Sequence, residues 1–417
     1  MKRIAAGLLL LAFPLSACGS LVPTKSTAPS ASSSATITPS PGSTRVASTA
    51  PFELLPPMSG MPTDVNTVQI SCSGPIGPSD SVAIVQLHTG ALVLRDYADP
   101  THPRSVCQFA GQPAQIEQLV DAHHVVVSGS ATYASGSSKP VTLFAVVDLP
   151  QVHYHWFQLP TIQDSFSTLL AVSPNLDEVA WLSSTLAANR IESVDEVHLS
   201  RSSGDQVVAS IRAAYGRCGS PDDSRLADYT HAGAHLYVLD QSVPWLNTLV
   251  VLQGTEIQFQ VSPPAGSSNQ PGWQRGIQPE MAVWSPISET LYYRQNGEVW
   301  KWTPAGRQDF LPGINWYYPT ISADGSHLAY STLRADGLHN VYVVDLAHNG
   351  NPKLIGNGAR NLPVFLNSAQ LWYKSEAQGI CGAGGSQPLI YDLGDGSESP
   401  SIIDQVVAVW PSTSSNF

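Results

Sequence analysis

One pattern constrains this chain more than any other. A short apolar strand, a tight turn, a second strand and a third recur at fixed offsets, and such periodicity must be read as repeating units before anything else. In the clearest copy Ser322 closes the first strand and Asp324-Gly325 makes the turn, since Gly takes positive φ without strain. A second strand follows over residues 328–331 and, after the Asp336-Gly337 turn, a third over 341–345. Ser322 is followed by Leu328 at +6 and Tyr330 at +8. Ser285 has Leu291 and Tyr293 at the same offsets, and Ser173 has Val179 and Trp181. Thr230 with Gly233 and Leu236, and Phe365 with Leu371 and Tyr373, are weaker copies. Residues two apart on a strand share a face, so each unit sends an aliphatic and an aromatic side chain the same way.

Composition supports short strands. Hydrophobic residues are 42% of the 417, enough for a core, while charged residues are only 12% beside 33 Pro and 32 Gly. Long solvent-exposed helices need more charge and fewer breakers. The repeat resembles that of TolB-type β-propellers, periplasmic relatives of WD-repeat propellers. Ala323 stands where that family usually has Pro, and Ser173-Pro174 and Ser285-Pro286 keep Ser-Pro but lack the Asp-Gly. The expected fold is all-β, a seven-bladed β-propeller of four-stranded antiparallel blades, with six or eight blades as the alternatives. The blades fall at residues 82–109, 115–159, 168–211, 226–261, 281–311, 316–355 and 361–404, and residues 64–411 shared among seven give about 50 per blade, in line with four strands and long loops. The first lacks its opening strand, and residues 406–411 form a spare one that echoes Ala282-Val283-Trp284-Ser285-Pro286. The C-terminus is therefore expected to supply the inner strand of the first blade and close the ring.

The start of the chain carries an address. Lys2 and Arg3 precede an apolar run over residues 4–13, too short to span a bilayer, which ends at Leu15-Ser16-Ala17-Cys18-Gly19. That ending resembles the lipobox of bacterial lipoproteins, and the resemblance implies cleavage before Cys18 and acylation of it. Residues 1–17 are then a lipoprotein signal peptide, 18–63 a tether and 64–417 the propeller. From Gly19 to Pro51, 27 of 33 residues are Ser, Thr, Pro, Ala or Gly, too apolar-poor to offset the entropy of ordering. The expected place is outside the cytoplasm, lipid-anchored to the outer face of the cell membrane or in the periplasm or outer membrane. The formal charge of −12, with no Lys/Arg-rich run, excludes nucleic acid as a partner. Cys72, Cys107, Cys218 and Cys381 are an even set in an exported chain, hence disulfide candidates with three pairings open. On the propeller reading, Cys218 and Cys381 share one face, which favours Cys218–Cys381 and Cys72–Cys107.

Long insertions fall in the B–C turns (residues 128–140, 183–195, 375–387) and the links between blades (213–225, 262–280). In a propeller these lie on one face, and loops tolerate length where they bind. Candidate contacts there are Trp245, Trp273, Trp316 and Tyr317, expected to be exposed, with Arg217, Arg275, Asp222 and Asp223; Trp and Arg are frequent anchors. Each also has a plain packing role open to it. No GxSxG motif or Cys/His metal spacing occurs. His153 and His155 alternate along a strand near His123-His124 but have no third ligand in view. No metal, cofactor or catalytic residue is expected. The sequence favours a binding or scaffold module for a protein, peptide or glycan partner; the alternative is an extracytoplasmic enzyme of cell-wall or other polymeric carbohydrate.

Overall fold

The computed structural model describes residues 65–76, 81–131, 141–163, 165–186, 192–214, 224–241, 248–262, 279–295, 297–348, 350–377 and 386–411. They form seven antiparallel sheets, the blades of a β-propeller. With strands lettered A to D from the centre outward, blade 1 is Ile403–Trp410 (A), Val82–Leu87, Leu92–Asp96 and Arg104–Ala110. Blade 2 is Ile116–Leu119, His124–Ala131, Val141–Asp148 and His153–Phe157. Blade 3 runs from Ser165–Val172 to Gly204–Ala214, blade 4 from Ser224–Tyr229 to Glu256–Val261, and blade 5 from Pro279–Trp284 to Gly306–Leu311. Blade 6 runs from Trp316–Ile321 to Lys353–Ile355, and blade 7 from Arg360–Phe365 to Glu398–Pro400.

The repeated aliphatic-aromatic pair makes the core. Val179 and Trp181 pack against blade 2, Leu291 and Tyr293 against blade 4, Leu328 and Tyr330 against blade 5, and Leu371 and Tyr373 against blade 6. All eight are almost fully buried. Blade 4 offers Leu236 and Val238 to blade 3, blade 2 offers Val125 and Val127 to blade 1, and blade 1 offers Ala83 and Val85 to blade 7. Each of the seven junctions between neighbouring blades thus holds one apolar cluster. Burying one such side chain contributes about 1.5–3 kcal/mol, and none of it is available to a blade alone.

The turns explain the Ser and Thr that open them. The N–H groups of Ser173, Thr230, Ser285 and Ser322 donate to the carbonyl five residues on, at 2.8–2.9 Å. The hydroxyls of Ser173, Thr230 and Ser322 accept the N–H of that same later residue at 2.9–3.2 Å. Gly325 is needed twice over: its φ is +68°, and a Cβ there would lie 2.4 Å from Cγ1 of Ile287 in the neighbouring turn.

Both ends of the described chain clasp the ring. Ile403–Trp410 pairs with Val82–Leu87, so the C-terminus does supply the missing inner strand. Blade 1 also has a fifth strand: Gln69–Cys72 pairs with its outer strand, and Cys72 is disulfide-bonded to Cys107 there, the pairing expected for these two cysteines. Just before it, Val65–Thr67 pairs with residues 129–131 of blade 2, extending the line of the short inner strand Ile116–Leu119. Gly129 allows this, since a Cβ would meet Val65 and Thr67 at 3.0–3.1 Å.

Deleting residues 405–417 should cost about 4 kcal/mol or more, as deletions of buried core do. An unchanged denaturation midpoint would contradict the closing role. Replacing both Cys72 and Cys107 by Ser, which frees a loop of sequence separation 35, should cost about 3–4 kcal/mol in chemical denaturation.

Candidate interaction face

The two faces of the ring differ. On the A–B turn face, neighbouring turns lock together. Ile287 covers Gly325, Asn175 lies against Gly233, and the N–H of Asp324 donates to Ser368 Oγ at 3.1 Å. His235 Nδ1 lies 2.7 Å from Glu289 Oε2, joining blades 4 and 5. The opposite face carries the B–C turns and the links between blades. There Phe166, Leu333 and Ile402 are 69%, 53% and 56% exposed, against Ile287 at 67% on the A–B turn face.

On the same face blades 5 to 7 build a polar assembly. Arg294 is the penultimate residue of strand B of blade 5 (Leu291–Gln295), where it meets Asn315 and Trp316 at the start of blade 6. Its Nη1 donates to Asn315 Oδ1 at 2.7 Å and to the Trp316 carbonyl at 2.9 Å. Its guanidinium stacks 4.6 Å over the ring of Tyr317, a cation–π contact. Burial lowers the pKa of Arg294, opposed by its hydrogen bond to Tyr317. The Tyr317 ring in turn meets His339 edge-on at 5.9 Å. Glu376 of blade 7 accepts from the His339 N–H at 2.6 Å and from Asn361 Nδ2 at 2.9 Å, and lies 3.0 Å from His339 Nδ1. Charge-assisted bonds of this kind fix side chains in place, so Tyr317 is presented on a rigid mount.

Of the residues singled out from sequence, Tyr317 alone is placed on this surface, half-buried. Trp316 is a correction: it is wholly buried rather than exposed. Strand pairing sets it opposite Thr332, on the side of the sheet that faces blade 5, where it packs near Tyr330. Cys72 and Cys107 form the bond already described. Cys18, Arg217, Cys218, Asp222, Asp223, Trp245, Trp273, Arg275 and Cys381 lie outside the described residues. Arg294, His339, Asn361 and Glu376 were missed; the one local signal was a charged Arg294 directly after the apolar run Leu291-Tyr292-Tyr293.

Blade 3 holds a second arrangement with the look of chemistry. Ser183 Oγ lies 3.0 Å from His198 Nε2, and His198 Nδ1 lies 2.7 Å from Asp205 Oδ2. That is the order of a serine–histidine–aspartate relay. Ser183 and His198 are however 1% and 3% exposed, and the His198 ring is stacked on Trp181 at 3.9 Å. Trp181 Nε1 donates to Ser200 Oγ and Asp205 Oδ1, and Ser200 also bonds Asp205. A nucleophile sealed from solvent cannot meet a substrate, so the network is a structural one that satisfies buried polar groups. Burial pushes the Asp205 carboxyl up, but bonds from Ser200, His198 and Trp181 outweigh it and leave the group below its ordinary range. Its stabilising effect is present above the usual carboxylate pKa and is lost as pH falls. Among the described residues, no group of three or more His, Cys, Asp or Glu is placed to hold a metal ion, and His153 and His155 meet edge-on at 4.5 Å.

No protein-family model and no curated relative matches the chain. Solved structures that resemble it include prolyl oligopeptidase B from Galerina marginata (10% identity, TM-score 0.47, 84% of this chain and 52% of that one). The propeller domain of the trilobed protease from Pyrococcus furiosus is another (10%, 0.41, 67% and 79%), as is TolB from Acinetobacter baumannii (13%, 0.36, 78% and 64%). At these identities the likeness concerns the propeller fold.

Two outcomes follow for blade 3. The stability difference between Asp205→Asn and wild type should be largest at neutral pH and shrink below about pH 4; a constant difference would contradict the assignment. A fluorophosphonate probe should leave Ser183 unmodified in the folded protein, as read by mass spectrometry.

Proposed function

We propose that this chain is an exported, lipid-anchored protein of the cell envelope whose propeller is a binding module for a protein, peptide or glycan partner. Its working surface is the face bearing the B–C turns and inter-blade links. The observation that carries this reading is the asymmetry of the ring: one face is stitched to itself turn by turn and exposes Ile287, while the other exposes Phe166, Leu333 and Ile402 and carries the fixed ring of Tyr317. Exposed apolar groups next to rigid polar ones are the usual make-up of an interface core and its rim. The resemblance of Leu15 to Gly19 to a lipobox and the Ser/Thr/Pro/Ala-rich stretch that follows supply the anchor and the spacer. Two or more acyl chains hold a protein at a membrane stably, at about 0.8 kcal/mol per buried CH₂. Charge opposes adhesion to anionic lipid, since cleavage would take the formal balance from −12 to −14.

Two measurements test the halves of this proposal. Replacing Cys18 by Ser should abolish incorporation of labelled palmitate and move the protein out of the membrane fraction. A photo-crosslinking residue at Leu333 or Phe166 should give a defined adduct in intact cells, whereas one at Ile257, exposed on an outer strand, should not. Adducts from Ile257 equal to those from Leu333 or Phe166 would contradict the assignment of the face.

A further inference from the structure

The axis of the ring is blocked at one end. His231 lies in the A–B turn of blade 4, and Trp410 ends the inner strand of blade 1; their rings stack with centroids 4.9 Å apart. Blades 1 and 4 stand three steps apart in a ring of seven, so this contact crosses the axis. It does so at the A–B turn face. Among the described residues, this ring contact shuts that end of the channel.

The channel wall is made by the inner strands. Six of the seven are bulged: the pairing skips a residue or two in blades 1, 2, 3, 5, 6 and 7. At three of these bulges Met281, Tyr318 and Leu362 take φ values of +53°, +52° and +57°, a conformation that costs a non-glycine residue about 1–3 kcal/mol. Mid-strand side chains on an innermost strand reach solvent only through the channel. At this level stand half-buried Leu170, Met281, Tyr318, Leu362 and Val407. With them is one exposed carboxylate, Glu117, skipped between Ile116 and Gln118. Its neighbours turn away into the blade junctions: Ile116 packs between blades 1 and 2, and Gln118 bonds the backbone of Val172. Glu117 touches water, yet the surrounding wall desolvates it and raises its pKa, against a hydrogen bond from Ser128. A carboxylate in a confined apolar setting gains most from a cation of matching size.

We propose that the channel is a blind cup that binds an alkylammonium or alkylguanidinium group carried on an apolar stem, with Glu117 as the counter-ion and Leu170, Met281, Tyr318, Leu362 and Val407 as the collar. A free amine and a basic side chain offered by a partner share this chemistry. The inference stands apart from the lipid anchor and from any partner at the rim, so its failure would leave the proposed function untouched.

The test is calorimetric or NMR titration of the protein with hexylammonium, with the peptide acetyl-Leu-Lys-Leu-amide, and with hexanoate. Hexylammonium or the peptide should bind and hexanoate should not; which of the two cations binds more tightly identifies the source. Glu117→Gln should weaken binding about tenfold, the loss expected for one charged hydrogen bond. Binding should also fade as pH falls through the titration of the carboxyl. Leu170→Trp, which fills the collar, should abolish binding by a route independent of charge. The proposal is overturned if neither cation binds, if hexanoate binds as well as hexylammonium, or if Glu117→Gln binds like wild type while melting like it.

Discussion

No sheet in this protein can bury its own faces, and that lateral dependence governs everything else about it. Each blade offers an apolar pair to the blade before it and receives the pair of the blade after it. A lone four-stranded sheet would leave both faces wet. A row of such sheets would still leave two open ends, which a linear repeat protein must cap. Closing the row into a ring removes the ends, and the Ile403–Trp410 strand joins the last blade to the first. Trp372 of blade 7 reinforces the seam by donating its indole N–H to the Ile403 carbonyl at 3.0 Å.

The seam is fastened from both termini. The C-terminal strand lies on the inner edge of blade 1, while Gln69–Cys72 lies on its outer edge and is held covalently. The one residue between Thr67 and Gln69 carries the chain from blade 2 to blade 1. That residue, Val68, is fully buried and accepts a hydrogen bond from Tyr154 through its carbonyl at 3.0 Å. Blade 1 is thus both the point of closure and the most heavily braced of the seven.

The parts of this architecture that were legible in the sequence are those set by local chemistry. Ser322, Asp324 and Gly325 announce a turn because a hydroxyl, a short carboxylate and a missing Cβ act over five residues. Leu328 and Tyr330 announce a buried face because a strand has a period of two. The spare strand at the C-terminus was readable because it repeats Ala282 to Pro286. The rest depends on groups far apart in the chain. Glu376 meets His339 across 37 residues and Gln118 meets Val172 across 54, and neither partner carries a mark of the other. Trp316 was misplaced because a tryptophan after a link looks like an exposed anchor, whereas the register across from Thr332 turns it inward. Glu117 passed unnoticed because its meaning comes from the bulge and the axis, not from its neighbours.

Two faces with different duties follow from the ring. Short A–B turns interlock and, with His231 on Trp410, shut the axis. The opposite face is left with apolar groups in water and a tyrosine held between Arg294 and His339. All of this rests on the ring being closed as one cooperative body. Native-state amide hydrogen exchange measures that directly. The amides of Ile403–Trp410 should exchange only by global unfolding, with the same free energy as those of the blade 4 strand Leu236–Gln241. Exchange of the closing strand at a much lower free energy than blade 4 would contradict it.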